Sequence, residues 1–291
     1  MSPLVSWEGF PILMPTFEDC PIVITTDFGA DSAYVGVMKG VILSINPKAT
    51  IVDHTHSVPS YDVLAGAVLL RQSYQYFPSS IHLVVIDPGV GSSRRPLLLI
   101  TEKYAFVGPD NGLFTPICES EKPWVIELNQ ERFFRSPVSR TFHGRDIFAP
   151  VAAHLSLGVA PETLGRQIVD MVTLEIPTPR VVEGSIAGTI LRIDKFGNLV
   201  TNMTPATLGE AGISRDDLVM RIGSRVVQKW VESYAEADPG VAIILLGSSG
   251  LLEISVNQGS AAELLRASAY EAVFAYRKPG SPTANTSKGV A

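Results

Sequence analysis

The chain has 291 residues, of which 46% are hydrophobic and 18% charged, and its formal net charge is -6 at pH 7. That balance excludes a disordered or coiled-coil chain and fits two well-buried globular domains. An acidic chain whose densest basic group is the pair Arg94 and Arg95 also disfavours a nucleic-acid partner.

Residues 1–20 carry Pro3, Pro11 and Pro15 without apolar periodicity, the pattern of an N-terminal extension that wraps the surface or stays loosely ordered. Over 21–176, apolar runs at 22–25, 50–53, 81–86, 96–100 and 104–107 predict strands. Apolar spacings of three and four over 32–45 and 62–74 predict helices between them, hence βαβ units and an α/β domain with a largely parallel sheet. After Pro177 and Pro179 the texture changes. Over 182–277, short β-branched runs at 186–193, 218–222, 243–246, 251–256 and 271–276 alternate with glycine and polar turns, which predicts a smaller all-β, barrel-like domain. Residues 278–291, rich in Pro, Ser, Thr, Gly and Ala, read as a disordered tail. Cys20 and Cys118 are too few for a disulfide framework and lack metal-type spacing, so both are expected to be plain thiols. No basic residue precedes Lys39, and apolar runs such as 241–246 fall far short of the ~20 residues that cross a bilayer. A cytoplasmic protein with no membrane partner is therefore expected.

Open α/β sheets place ligands beyond the carboxyl ends of their strands, and four segments put polar residues there. In Thr25-Thr26-Asp27-Phe28-Gly29-Ala30-Asp31-Ser32, Asp27 can accept two hydrogen bonds from a ribose diol, while Asp31 or Ser32 caps the following helix. Asp53-His54-Thr55-His56 admits a metal reading, but His-x-His on an extended segment is weakly specific, and a structural role is the stronger reading. Tyr61, just downstream, is a candidate to pack against a bound sugar. In Asp87-Pro88-Gly89-Val90-Gly91-Ser92-Ser93-Arg94, the turn leaves Asp87 at a strand tip and can return Arg94 toward it. In Phe142-His143-Gly144-Arg145-Asp146, a helix starting near Gly144 places His143 at its positive end, which favours a neutral imidazole.

Five motifs in one order, Thr26-Asp27-Phe28-Gly29, Asp87-Pro88-Gly89-Val90-Gly91, Pro109-Asp110-Asn111-Gly112-Leu113, Phe142-His143-Gly144-Arg145-Asp146 and Asp194-Lys195-Phe196-Gly197-Asn198, span both predicted domains. Together they resemble the S-adenosylmethionine hydroxide adenosyltransferases, the adenosine-forming S-adenosylmethionine hydrolases related to fluorinase and chlorinase. The resemblance covers about 21–276. It implies that Asp87, Arg94 and His143 activate water, that Asp27 binds the ribose, and that Asp31 joins the further substrate-binding residues. It further implies that Phe196 and Tyr234 stack on adenine, Asn198 hydrogen-bonds it, and Asp194 and Ser248 hold the amino-acid part. It implies a homotrimer in which a neighbouring subunit completes each site, with no cofactor and no metal. Where fluorinase-type proteins have Ser-Arg, this chain has Ser248-Ser249.

The chemistry fits these residue types. Attack at C5′ expels neutral methionine from a sulfonium, so only the nucleophile needs help. Water, with a pKa of about 15.7, must be deprotonated or oriented by side chains. Asp87 or His143 can accept the proton, and Arg94 can stabilise the developing hydroxide. A halide-using 5′-halo-5′-deoxyadenosine synthase is the alternative reading, disfavoured because Asp87 repels an anion in a buried site. A non-catalytic adenosine-binding protein would not need Asp87, Arg94 and His143 together.

Overall fold

The computed structural model describes residues 14–280. The chain divides into two compact units, with the boundary between Leu174 and Glu175. Most of the expected N-terminal extension (1–13) and most of the expected tail (281–291) lie outside the described residues.

The first unit is built on seven strands: β1 Ile22–Thr26, β2 Ile51–Thr55, β3 Ser80–Val85, β4 Pro96–Ile100, β5 Tyr104–Pro109, β6 Trp124–Leu128 and β7 Gly165–Ile168. Their order across the sheet is β2-β1-β3-β5-β4-β6-β7. The pairings β2-β1, β1-β3 and β3-β5 are parallel, whereas β5-β4, β4-β6 and β6-β7 are antiparallel. The sheet is therefore mixed, and the expectation of a largely parallel sheet holds for only one side of it. The reason is local: Thr101, Glu102 and Lys103 alone join β4 to β5, and the Thr101 amide closes the turn on the Tyr104 carbonyl at 2.9 Å. Parallel neighbours need a crossover of a dozen or more residues, so this link dictates a hairpin.

Alternation along the strands explains why they read as continuous apolar runs. Leu83, Val85, Leu98 and Ile100 face one core with helices α1 (Ala33–Ile45) and α4 (Ala149–Ser156). Val84, Leu97, Leu99 and Phe106 face the other core, with α2 (Val63–Ser73) and α3 (Thr115–Glu121). Successive side chains point to opposite faces, and both faces are covered. Ser32, not Asp31, caps α1, its hydroxyl accepting from the Tyr34 amide at 3.2 Å. Order also begins earlier than expected: Phe17 is 1% exposed in the α1/α4 core, and the Asp19 amide donates to the Ser156 carbonyl at 3.1 Å. One buried aromatic ring is enough to pin this segment, since removing one typically costs ~3–5 kcal/mol.

The second unit is an antiparallel sheet of β8 Arg180–Val182, β9 Ser185–Ile193, β10 Leu199–Thr201, β11 Leu218–Ile222, β12 Arg225–Val227, β13 Ala242–Leu246, β14 Leu252–Val256 and β15 Ala272–Arg277. The order is β12-β11-β15-β9-β10-β14-β13, with β8 beside β9. Just past β12, the Lys229 carbonyl accepts from the Ile244 amide at 2.7 Å and the Val231 amide donates to the Ile244 carbonyl at 3.0 Å. These bonds tie the first edge to the last, giving a nearly closed, barrel-like sheet around Ile186, Ile190, Met220, Ile244, Ile254 and Val273.

Candidate active site

Asp87 lies just beyond β3 and Arg94 just before β4. Between them the turn is drawn tight: the Val90 amide reaches the Asp87 carbonyl at 3.2 Å, and the Ser92 hydroxyl reaches the Gly89 carbonyl at 2.6 Å. Gly91 has φ +76°, and a Cβ there would overlap the Arg140 carbonyl oxygen, so the turn needs glycine at this position. The result is a side-on pair in which Arg94 Nε donates to Asp87 Oδ1 at 2.9 Å and Nη2 donates to Oδ2. The side chains are 5% (Asp87) and 8% (Arg94) exposed.

Arg94 Nη2 also lies 2.7 Å from His143 Nδ1. A guanidinium only donates, so Nδ1 is the acceptor and the neutral ring carries its hydrogen on Nε2. Burial first, and then the Arg94 charge, hold the imidazole below its ordinary pKa, against the opposing pull of Asp87 and Asp146. Arg94 Nη1 is buried without a hydrogen-bond partner among the described residues, and the guanidinium carbon sits 5.2 Å from the Phe148 ring centroid.

His143 begins the wide π-type turn Gly144–Phe148 that leads into α4. Asp146, 0% exposed, anchors this turn by accepting from Arg145 Nε at 2.7 Å, Arg145 Nη2 at 2.8 Å and the Ser139 amide at 2.9 Å. Burial alone would raise its pKa, but the Arg145 and Ser139 bonds prevail and hold the carboxyl low.

Asp27 follows β1, and its Oδ2 accepts from the Tyr61 amide at 2.8 Å. Tyr61 has φ +67° and its side chain is exposed. Asp31 is exposed as well. Phe28, Tyr34 and Phe142 form an edge-to-face trio with centroids 5.1 to 6.1 Å apart, which locks the Asp27 loop against the residue preceding His143. The sequence offers a signal for this contact in the phenylalanine beside each polar residue, which the motif reading did not use.

The histidines of the metal reading are occupied elsewhere. His54 Nδ1 meets the Thr25 hydroxyl at 3.1 Å, His56 Nδ1 meets that of Thr26 at 3.0 Å, and His56 Nε2 meets Asp53 Oδ1 at 2.9 Å. They lace β2 to β1, and Lys39 adds a 2.6 Å bond to Asp53. Among the described residues, no group of three or more His, Cys, Asp or Glu is arranged to hold a metal.

In the second unit Asp194 organises its own loop: Oδ1 accepts from the Phe196 and Asn198 amides at 2.8 and 3.0 Å, and Oδ2 from Asn198 Nδ2 at 2.9 Å. Asn198 is thereby buried, while Phe196 is turned outward at 64% exposure. The Tyr234 hydroxyl reaches Glu253 Oε2 at 3.4 Å, and burial, then Glu253 and Asp194, push the phenol pKa up. Ser248 is exposed on the turn from Gly247 to Gly250. The sequence reading missed Glu253, a 7% exposed acid on β14. Its signal is a lone carboxylate in the otherwise apolar run Leu251-Leu252-Glu253-Ile254.

Fold and site thus define a mixed α/β unit bearing a paired Asp-Arg-His group, accompanied by an antiparallel barrel bearing aromatic and carboxylate side chains. The family model described as the S-adenosylmethionine hydroxide adenosyltransferase N-terminal domain matches residues 22–165, and that of the C-terminal domain matches 188–274. The chain belongs to this family. It is 35% identical over 260 residues to the (R)-S-adenosyl-L-methionine hydrolase of Thermus thermophilus, covering 84% of this chain and 95% of that one. It is 36% identical over 257 residues to the protein of the same name from Methanocaldococcus jannaschii, covering 84% and 91%. Similarity to the fluorinase of an Actinoplanes species is lower, 27% over 281 residues, covering 84% and 93%. A crystal structure of an uncharacterized conserved protein from Thermotoga maritima is similar in fold, with a TM-score of 0.82 and 36% identity over 88% of this chain and 100% of that one.

Proposed function

We propose that the protein hydrolyses S-adenosyl-L-methionine at ribose C5′, giving adenosine and L-methionine. The observation that carries this reading is the sharing of Arg94 between Asp87 and His143 at the tip of β3. Asp87 takes a proton from water, and one lone pair of that water's oxygen accepts from the Nε2 hydrogen of His143, leaving the other directed at C5′. As the O–C5′ bond forms, the C5′–S bond breaks and its electron pair stays on sulfur, giving an uncharged thioether. The proton on Asp87 then passes to solvent. Arg94 supports the negative charge developing on oxygen. Its contact with Nδ1 makes His143 a donor toward water and leaves Asp87 as the proton acceptor.

Asp27 binds the ribose diol, with Asp31 and Tyr61 bordering it. Phe196 and Tyr234 stack on adenine, Asn198 hydrogen-bonds it, and Asp194 and Ser248 hold the amino-acid end. The reading includes a metal-independent, cytoplasmic homotrimer in which a neighbouring subunit completes each site. The names of the hydrolase relatives support the (R) sulfonium epimer as substrate. Two points favour hydrolysis over halide use: the higher identity to hydrolases than to fluorinases, and the buried carboxylate of Asp87, which repels an anionic nucleophile.

Incubation with S-adenosylmethionine, with and without chloride, tests the reaction. Adenosine and methionine in both cases are expected, whereas chloride-dependent 5′-chloro-5′-deoxyadenosine would favour the halogenase. His143→Gln tests the role given to His143, because glutamine offers both an acceptor for Arg94 and a donor for water. Activity well above that of His143→Ala is expected, and equal loss in both would return His143 to the role of base. Mixing Asp87→Ala with Asn198→Ala subunits tests shared sites: recovered activity in mixed trimers is expected, and silence would place each site in one chain.

A further inference from the structure

We propose that Asp110 and Asn111 are positioning residues that hold the two ends of the turn carrying Asp87 and Arg94, an inference that rests on the hydrolase reading above. Both belong to the motif Pro109-Asp110-Asn111-Gly112-Leu113, whose side chains take no part in the chemistry just described. The motif begins where β5 ends, and β5 lies between β3 and β4 in the sheet. β3 runs parallel to β5 and leads into Asp87, whereas β4 runs antiparallel to it and follows Arg94. One loop therefore borders both ends of the turn.

Asn111 holds the first end. The register of β3 stops at Val85 against β1 and at Leu83 against β5, so Ile86 lies past the ladder on both sides. Its carbonyl accepts instead from Asn111 Nδ2 at 2.9 Å, one residue before Asp87. The other end of the same amide, Oδ1, accepts from the Leu113 amide at 3.2 Å, which fixes the direction of Nδ2. Asp110 holds the second end. Its own amide donates to the Arg95 carbonyl at 2.9 Å, and its Oδ2 accepts from Arg95 Nε at 2.8 Å, one residue after Arg94.

The brace is itself fixed from behind. Asp110 Oδ1 accepts from the Val172 amide at 2.7 Å, and Arg95 Nη1 donates to Asp170 Oδ1 at 2.9 Å. The Leu174 amide donates to the Thr115 hydroxyl at 2.9 Å, and Gly112, at φ +90°, leaves no room for a Cβ beside Leu174. With both oxygens engaged and its side chain 2% exposed, the Asp110 carboxylate is a buried charge paired in place. The turn's own bonds, Val90 to Asp87 and Ser92 to Gly89, close it on itself. They do not orient it against His143, which stands on another element. Since a misplacement of about 1 Å can cost about 100-fold in rate, the brace acts on kcat by keeping Arg94 Nη2 against His143 Nδ1.

The test uses the purified full-length protein and two variants. Asp110→Asn keeps the shape of the side chain and removes the charge that holds Arg95, while Asn111→Ala removes the donor to Ile86. Each should lower kcat about tenfold or more and leave KM within about twofold. The second readout is the titration of the His143 ring, followed by NMR with labelled histidine and identified by its loss in His143→Gln. In the wild-type protein burial, and then Arg94, hold this pKa below the ordinary value of about 6.5, with Asp87 and Asp146 opposing. In both variants it should move up toward that value as Arg94 leaves Nδ1, whereas loss of the Asp110 charge by itself would move it down. A purely structural role lowers the melting temperature without raising the titration. An unmoved or lowered titration in a folded variant, or an unchanged kcat, overturns the proposal. Should Asp110→Asn fail to fold, Asn111→Ala decides alone, because that side chain is only partly buried. Failure of the wild-type protein to turn over S-adenosylmethionine would remove the hydrolase reading, while the His143 titration still judged the brace.

Discussion

The two units treat their buried acids in opposite ways. Asp87 is held side-on by Arg94, which in turn fixes His143, so the charges of the first unit are paired before any ligand arrives. Among the described residues, Glu253 in the second unit has one long bond, and its carboxyl is pushed toward its neutral form. Internal pairing suits a group that must keep one geometry through a reaction, because preorganised charge needs no rearrangement in the transition state. Weak pairing leaves a buried acid whose charge depends on pH.

The contrast is broken most severely at Asp87. Asp87→Ala should lower kcat by about 10²–10⁴, the usual contribution of a positioned base, while calorimetry shows S-adenosylmethionine still bound. Near wild-type turnover would show that Asp87 does not take the proton. Gly91→Ala attacks the same pair through the backbone, since its φ is +76° and its Cβ has no room beside Arg140. A loss of ~1–3 kcal/mol in stability is expected from such strain, together with reduced kcat, measured by denaturant melts and turnover. In the second unit, Phe196→Ala and Tyr234→Ala should each weaken substrate binding about tenfold, within the ~1–3 kcal/mol typical of stacking on a base, and leave kcat nearly unchanged. Unchanged affinity in both would make them ordinary surface residues of the barrel.

The smallest effect expected is on the pH profile. The pKa of His143 is lowered, so the ring stays neutral as pH falls through the ordinary histidine value of about 6.5. The rate kcat/KM should therefore hold steady through that value and decline only below it, when protonation of Nδ1 breaks the Arg94 contact. A decline centred at or above the ordinary value would contradict the buried Arg94–His143 contact.

Much of this arrangement was legible in the sequence because local chemistry announces it. The turn at 87–94 could be read from Pro88, Gly89 and Gly91, and the returning Arg94 lies where such a turn directs it. What stayed hidden depends on tertiary contact. The antiparallel half of the first sheet is the exception, since its cause is local: the three-residue link Thr101-Glu102-Lys103 is too short for a crossover. Phe17 has no periodic neighbours, so nothing local reveals that its ring enters the α1/α4 core. For His54 and His56 the sequence favours a structural role over a metal but does not reveal the partners: their Nδ1 atoms meet Thr25 and Thr26 of a strand distant in the chain. Glu253 sits in a strand that reads as core, and its raised pKa arises from burial and from Asp194 beside it. The packing of Phe28 against Phe142 is only hinted at in the sequence, where each stands next to a polar motif residue.

The central claim is that water attacks ribose C5′, and it is tested most directly by turnover in water enriched in oxygen-18. The label should appear in the 5′-hydroxyl of adenosine while the methionine remains unlabelled. Formation of methylthioadenosine, or of adenosine without the label, would contradict it.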